Sequence, residues 1–286
     1  MGRFAPTPSG DLHLGSLFTA AASYLDARAH AGRWLLRIED LDRPREVAGS
    51  AVGILRTLER FGFEWDGLAH QSERSELYAA ALHRLEAEQR TFSCTCSRAQ
   101  LEDELRYPGT CRNRPATPGE PAAVRVHVDS RMIKFTDRIQ GTYRQEVAAA
   151  VGDFILERRD KIVAYVLAVV VDDAAQGITH IVRGADLLDN TPRQIYLQQL
   201  LGFAQPRYAH LPVLIEPDGT KLAKSRRSVR AATDTPLPQL LNIFSLLGLA
   251  PPAELGSGPI SAAWTWAIDQ WGVDKVPKCL DLRVND

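Results

Sequence analysis

Arg3-Phe4-Ala5-Pro6-Thr7-Pro8-Ser9-Gly10-Asp11-Leu12-His13-Leu14-Gly15-Ser16 is the stretch on which the fold of this chain turns. It reads as a short strand, a break rich in Pro, Ser and Gly, and the start of a helix. Leu14, Leu17, Phe18, Ala21, Ala22 and Leu25 then recur at i, i+3, i+4 and i+7, which predicts a helix packed by one face. Trp34-Leu35-Leu36-Arg37-Ile38 is an apolar run suited to a buried strand, and it ends in the acidic Glu39-Asp40-Leu41-Asp42. Residues 46–61 and 73–90 read as two amphipathic helices. Strands alternating with helices predict an α/β protein with a doubly wound parallel sheet. Ligands of such sheets gather at the carboxyl ends of the strands.

The middle of the chain breaks that pattern. From Thr91 to about Val147 come three Cys, several Pro and Gly, and a β-like run Ala123-Val124-Arg125-Val126-His127-Val128. This segment reads as an insertion. Helical and strand patterns resume at 165–174, 178–182, 193–201 and 208–214, and 237–247 and 262–271 form a helical tail beyond a basic loop at 221–230. The expected organisation is a Rossmann-like sheet in two halves, 1–92 and 151–230. A metal-binding insertion over 93–150 divides it, and a small helical subdomain over 231–286 closes it.

The 286 residues are 45% hydrophobic, enough for a substantial core. Lys and Arg number 34 against 35 Asp and Glu, so the chain is not the strongly basic kind that coats nucleic acid. RNA contacts must come from local patches such as Arg226, Arg227 and Arg230. No run of 18 apolar residues is present, and Met1-Gly2-Arg3-Phe4 lacks the layout of a secretory signal. A cytoplasmic protein with no membrane association is therefore expected. Three of its 4 Cys cluster between Cys94 and Cys111, which in a reducing compartment suggests a metal site or inert thiols before disulfides.

Two segments carry chemistry of their own. His13-Leu14-Gly15-Ser16 opens the first helix, where unpaired N–H groups and the positive dipole end suit phosphate. His13 adds a donor there, and Gly15 lets a flat base approach the backbone. Lys221-Leu222-Ala223-Lys224-Ser225 is a basic loop able to neutralise charge on a departing pyrophosphate. Alone, each reads more readily as a surface His at a helix start and a solvated basic loop.

Together they carry a resemblance. Residues 3–16 resemble the first signature motif of class I aminoacyl-tRNA synthetases in its glutamyl and glutaminyl form. Lys221–Ser225 looks like the second, usually written KMSKS, with Leu222-Ala223 in place of Met-Ser. Arg37-Ile38-Glu39-Asp40-Leu41-Asp42-Arg43 and Val182-Arg183-Gly184-Ala185-Asp186-Leu187-Leu188 are similar to glutamyl-enzyme segments, so four motifs match in order from Arg3 to about Ser225. The resemblance implies that His13 and Lys224 are catalytic and that His13, Gly15, Ser16, Lys221 and Lys224 bind ATP, which brings Mg²⁺. It also implies a glutamate pocket. Glutamate carries two carboxylates and an ammonium, and Arg grips a carboxylate with two parallel bonds where Lys cannot. Arg3 and Arg183 supply these forks, Glu39 meets the ammonium, Tyr165 closes the pocket, and Ala5 and Thr7 line it. Glu39 and Arg37 could also simply form structural ion pairs.

Zinc prefers four ligands, and the cysteines supply three as Cys94-x-Cys96 and Cys111. In glutamyl-type relatives with this insertion, a Tyr precedes the last Cys at the spacing of Tyr107-Pro108-Gly109-Thr110-Cys111, which implies Tyr107 as the fourth ligand of a structural zinc. Phenol ionises only near pH 10 unless a metal lowers that value, so Glu102 or Glu104 stays open as an alternative.

A full-length glutamyl enzyme has a large helical anticodon-reading region, whereas here about 60 residues follow the Lys224 loop. This implies a short, zinc-containing branch of the family, a monomer. That branch activates L-glutamate with ATP without tRNA and esterifies it to the cyclopentene-diol of queuosine in the wobble position of tRNA(Asp). Competing expectations are a shortened enzyme charging the 3′ end of tRNA(Glu), a ligase passing glutamate to an amine or carrier, and a non-catalytic zinc RNA-binding module.

Overall fold

A computed structural model of the protein describes residues 1–97, 99–101, 106–115, 119–216, 219–220 and 235–284. The first half runs β1 (Gly2–Phe4), α1 (Leu14–Arg28), β2 (Trp34–Ile38), α2 (Ser50–Arg60), β3 (Leu68–His70) and α3 (Ser75–Ala87). β1 pairs parallel with β2, and β2 parallel with β3, setting Arg3 against Leu35 and Ile38 against His70. Each of these strands is followed by a helix that returns the chain to the same end. That is the arrangement the alternation predicts. The two helices are shorter than the sequence pattern suggests, because residues 46–49 stay outside α2, with 48–49 in a turn, and Gln89 takes a positive φ of 54° after α3.

The middle holds antiparallel strands: β4 (Thr91–Cys94), β5 (Ala123–Val126), β6 (Met132–Asp137), β7 (Gly141–Glu146) and, after the short helix α4 (Val147–Ala150), β8 (Ile155–Glu157). β5 is the central strand between β4 and β8, and β6 and β7 form a hairpin. Ile133, Phe135 and Asp137 turn inward along β6 while Met132, Lys134 and Thr136 face out, the period of two of a half-buried strand.

The parallel pattern resumes with α5 (Tyr165–Ala175), β9 (His180–Gly184), α6 (Thr191–Leu200) and β10 (Arg207–Leu211), with β9 and β10 parallel. The Met1 carbonyl accepts the N–H groups of Thr179 and His180 at 3.0 and 3.1 Å, which seats β9 beside β1. β11 (Val213–Ile215), α7 (Pro236–Leu246), α8 (Ile260–Gln270) and β12 (Asp281–Arg283) complete the described chain. β12 pairs parallel with β11, a strand pairing its short polar sequence does not signal. Among the described residues, no helix is long and apolar enough to cross a membrane.

α1 differs from the one-faced helix its periodicity predicts. Leu17, Phe18, Ala21 and Leu25 are buried as expected, but Ala20, Ser23, Tyr24 and Asp26 are buried as well. The reason is that α7 and α8 cover its other side. Trp264 packs edge-on against Tyr24 at 4.8 Å between ring centres, and Trp271 donates to Asp26 at 3.1 Å. Phe4, Trp34, Phe244 and Trp264 thus share one apolar core, and Tyr78, Leu85, Leu167 and Tyr208 belong to a second. α1 is held on two sides, so its N-terminus is a rigid platform.

Candidate active site

The loop after β1 delivers His13 to the N-cap of α1, where its backbone is extended (φ −111°, ψ 171°). Nδ1 of the ring accepts the Ser16 N–H at 3.3 Å. A neutral imidazole that accepts at Nδ1 carries its hydrogen on Nε2, and Nε2 lies 3.1 Å from Ser16 Oγ. Burial lowers the pKa of His13, which favours this neutral form. Gly15 leaves room for the ring here: a Cβ would stand 3.1 Å from the imidazole, tighter than an ordinary contact. The platform lines a cleft of about 630 Å³ whose walls include Thr7, His13, Gly15, Ser16, Gly184 and Asp186. One wall is thus the start of α1 and the other the carboxyl end of β9, where a doubly wound sheet collects its ligands. Lys221 and Lys224 lie outside the described residues.

Behind this cleft sits a buried charge network. Arg37 is wholly buried in β2 and faces three carboxylates: Asp173 Oδ1 at 2.9 Å, Glu39 Oε1 at 3.5 Å and Asp172 Oδ2 at 3.6 Å. Burial works against its charge, but Asp173, Glu39 and Asp172 together hold its pKa above the ordinary value. Arg3 reaches the same Asp173 oxygen at 3.3 Å. Asp172 is shared further, accepting from Gln71 at 2.7 Å, Arg74 at 2.5 Å and Tyr78 at 2.9 Å. Each ion here has left water, a cost of several kcal/mol that only such close partnering offsets.

Glu39 is the least satisfied member. Burial pushes its pKa up to about 7, although Arg37 and Arg3 pull the other way. Thr7, Glu39 and Tyr165 line one small pocket of about 200 Å³, and Thr7 also lines the larger cleft, so the two spaces adjoin. Tyr165 is partly exposed as a residue, at 38%, yet its phenol behaves as a buried group. Burial raises its pKa, Arg183 and Arg3 oppose the rise, and Glu39 and Asp173 add to it, so its hydroxyl end lies among these charges. Arg183 on β9 is buried, donating from Nε to His210 at 3.1 Å and from Nη2 to Thr191 at 2.7 Å. Its Nη1 has no hydrogen-bond partner among the described residues.

The structure therefore brings Arg3, Thr7, Glu39, Tyr165 and Arg183 into one neighbourhood, with half-buried Ala5 at the end of β1. It also makes Arg37 the structural ion pair that the sequence left open. Asp172, Asp173, Asp137 and His210 belong to the site and escaped the sequence reading. Two adjacent aspartates directly after the apolar run Val166–Val171 of α5, and before Ala174-Ala175, were the available signal, since acids in such a setting are rarely buried without a partner.

The cysteines form a separate centre. The Sγ atoms of Cys94, Cys96 and Cys111 all lie within 4.8 Å of one another. The Tyr107 hydroxyl is 3.4 Å from Cys94 Sγ and 4.0 Å from Cys96 Sγ, and it accepts the Cys111 N–H at 2.8 Å. Three thiols of zinc-binding type converge with a phenol oxygen beside them, so the cysteines fit a zinc ion and Tyr107 is in place as a fourth donor only if the metal draws off its proton. Gly152, at φ +75°, allows the close approach behind it, because a Cβ there would meet the Tyr107 carbonyl at 2.8 Å. Arg125 lies over the Tyr107 ring, 3.9 Å from its centre. Glu102 and Glu104 lie outside the described residues.

A family model described as class I tRNA synthetases (E and Q), catalytic domain, matches residues 1–255. The chain belongs to that family. It is an enzyme of the glutamyl-tRNA synthetase kind. Within the family its relatives include the glutamyl-Q tRNA(Asp) synthetase of Pseudomonas aeruginosa, 53% identical over 99% of this chain and 97% of that protein. The enzyme of the same name from Ectopseudomonas mendocina is 54% identical over 99% and 96%. Among solved structures, a glutamate tRNA ligase from Elizabethkingia meningosepticum in complex with its amino acid superposes with a TM-score of 0.83. It is 24% identical, and the match covers 98% of this chain and 66% of that one. The glutamate-tRNA synthetase of Elizabethkingia anophelis gives the same TM-score and identity over 99% and 67%. The fold is thus the class I synthetase α/β fold, and the chain spans about two thirds of those two ligases.

Proposed function

We propose that the enzyme activates L-glutamate with ATP, without tRNA, and transfers it to the cyclopentene-diol of queuosine in the wobble position of tRNA(Asp). The observation that carries the glutamate reading is the pair of buried guanidiniums, Arg3 and Arg183, set around Glu39 and the Tyr165 hydroxyl. Two carboxylates and one ammonium call for that charge pattern. Support for the RNA acceptor comes from relatives of nearly the same length that carry the name glutamyl-Q tRNA(Asp) synthetase.

In the first step the glutamate α-carboxylate oxygen attacks the α-phosphorus of ATP, and pyrophosphate leaves. The start of α1 offers backbone donors and its dipole to the phosphates, and Gly15 keeps that surface low. His13 would turn its Nε2–H, now shared with Ser16, to the α-phosphate, while Lys221 and Lys224 take up charge on the leaving pyrophosphate. Mg²⁺ would arrive with the ATP. Glu39 would accept the ammonium group, and Arg3 and Arg183 the carboxylates. In the second step a queuosine hydroxyl attacks the activated carbonyl and AMP departs. Cys94, Cys96, Tyr107 and Cys111 would hold a structural zinc, which supplies a crosslink to the antiparallel segment and takes no part in the chemistry.

The test is glutamate-dependent ATP–pyrophosphate exchange without RNA, followed by [¹⁴C]glutamate transfer to tRNA(Asp) with and without queuosine. Exchange with queuosine-dependent labelling is the expected result. Labelling of tRNA(Glu) would convert the reading to conventional charging, and absence of exchange would leave an RNA-binding module.

A further inference from the structure

Arg183 and His210 are register partners in the parallel pairing of β9 and β10, so their side chains leave the sheet on the same face. Arg183 Nε–H points at His210 Nε2, 3.1 Å away. A guanidinium only donates, so Nε2 must present a lone pair. On the other side of the ring, Nδ1 lies 2.6 Å from Asp137 Oδ2. A carboxylate only accepts, so Nδ1 carries the hydrogen. The second oxygen, Asp137 Oδ1, accepts three backbone N–H groups, those of Gln140 at 2.9 Å, Ile139 at 3.0 Å and His210 at 3.1 Å. Thr191 completes the cage: its Oγ1 receives Arg183 Nη2 and lies 3.1 Å from both the Leu187 carbonyl and His210 Nε2, and either of these acceptors can take its one hydrogen.

Both members of the His–Asp pair are buried. Burial, with Arg183 adding to it, lowers the pKa of His210 against the pull of Asp137. Burial opposes ionisation of Asp137, but the hydrogen bonds from His210 and Gln140 hold its pKa below the usual value. The ring is therefore neutral beside an ionised carboxylate, the state the hydrogen-bond pattern demands. With Nε and one Nη2 hydrogen taken, Arg183 is left with Nη1 and the other Nη2 hydrogen, the end-on pair that receives a carboxylate.

We propose that Asp137 and His210 are positioning residues for amino-acid recognition: Asp137 fixes the Nδ1–H tautomer of His210, whose Nε2 then aims the Arg183 guanidinium at a carboxylate of glutamate. This rests on the reading that Arg183 binds the amino acid. It gives the β6–β7 hairpin a part in the glutamate site, since Asp137 ends β6 and Gln140 in the following turn donates to the His210 carbonyl at 2.8 Å. The relay works because one face of the imidazole can only accept once the other has been made to donate.

Asp137→Asn tests it with almost no change of shape. Three backbone N–H groups need an oxygen in the place of Oδ1, so the amide NH₂ must take the place of Oδ2 and donate to Nδ1. The ring hydrogen then moves to Nε2 and confronts Arg183 Nε–H. In pyrophosphate exchange, D137N is expected to raise the KM for glutamate about tenfold or more, the scale on which partners of a ligating side chain act. The KM for ATP and kcat should move far less. ¹⁵N shifts of labelled histidine should report Nδ1–H in the wild type and Nε2–H in D137N. His210→Gln, whose amide oxygen can still accept from Arg183, should retain glutamate affinity, and His210→Leu should lose it. Should D137N unfold on heating below the assay temperature, the H210Q–H210L contrast decides. An Nε2–H or charged ring in the wild type overturns the proposal, as does a folded D137N with wild-type KM. Arg183→Gln separates the two levels: no effect on glutamate KM removes the amino-acid reading itself, whereas a raised KM beside a neutral D137N removes only the relay.

Discussion

The charged pocket around Glu39 and the cysteine cluster are both buried polar centres, but they are completed in opposite ways. In the pocket the protein supplies both signs of charge, with Arg3 and Arg37 facing Asp172, Asp173 and Glu39. In the cluster it supplies donors of one kind, three thiols and a phenol within reach of each other. Thiolates packed that closely repel unless a cation lies among them. The first centre is thus balanced by folding alone, whereas the second, with its thiols ionised, would need a cation to balance it. Difference in charge balance, more than in burial, decides what each centre needs from outside.

The strongest way to break this comparison is to unbalance the pocket. Arg183→Leu is expected to lower kcat/KM for glutamate in exchange by about a thousandfold, roughly 4 kcal/mol, the cost of leaving a bound carboxylate unpaired in a buried site. Next comes Arg37→Met, which removes the buried cation shared by Asp172, Asp173 and Glu39 and leaves Asp172 to Arg74 and Asp173 to Arg3. Urea unfolding should show a loss of about 3–5 kcal/mol. A loss under about 1 kcal/mol would mean that the network is wetter and weaker than its distances imply.

The cluster gives the complementary test. Stripping metal with a chelator, or Cys111→Ser, should lower Tm by on the order of 5–10 °C, a few kcal/mol for a chain of this size. RNA-free exchange should persist well below the new Tm. Metal analysis should find one zinc per chain, and a chelator-insensitive Tm would place both centres in the self-balanced class.

The smallest effect is a pH dependence. Burial raises the pKa of Glu39 from about 4.5 to about 7, so between these values the folded state holds a proton that the unfolded chain has lost. Stability from this group therefore falls as pH rises from about 5 to 7, and Glu39→Gln should remove the fall. The Tm difference between E39Q and wild type should grow in favour of E39Q across that window. Bound glutamate should reverse the preference, because its ammonium stabilises the ionised carboxylate. The KM for glutamate should accordingly rise as pH drops below about 7. A KM that is flat with pH would separate Glu39 from the ammonium.

Local sequence determined the parts of this protein that depend on near neighbours. The strand–turn–helix of residues 3–28, the buried strand 34–38 and the helical runs at 165–174, 193–201 and 237–247 follow from spacing that a few consecutive residues express. The motif residues Arg3, His13, Glu39 and Arg183 were legible for the same reason. Only the tertiary structure decided which charges meet. Arg37 and Asp173 lie 136 residues apart, and Asp137 and His210 lie 73 apart. No local pattern ties such partners, because their pairing is set by how the sheet and hairpin pack. It also decided that α1 is buried on a second face and that β12 joins β11, since each depends on where the C-terminal helices dock. A lone buried ion is costly anywhere in the chain, so the sequence could announce that Arg37, Asp172 and Asp173 must have partners. The fold alone could say who they are.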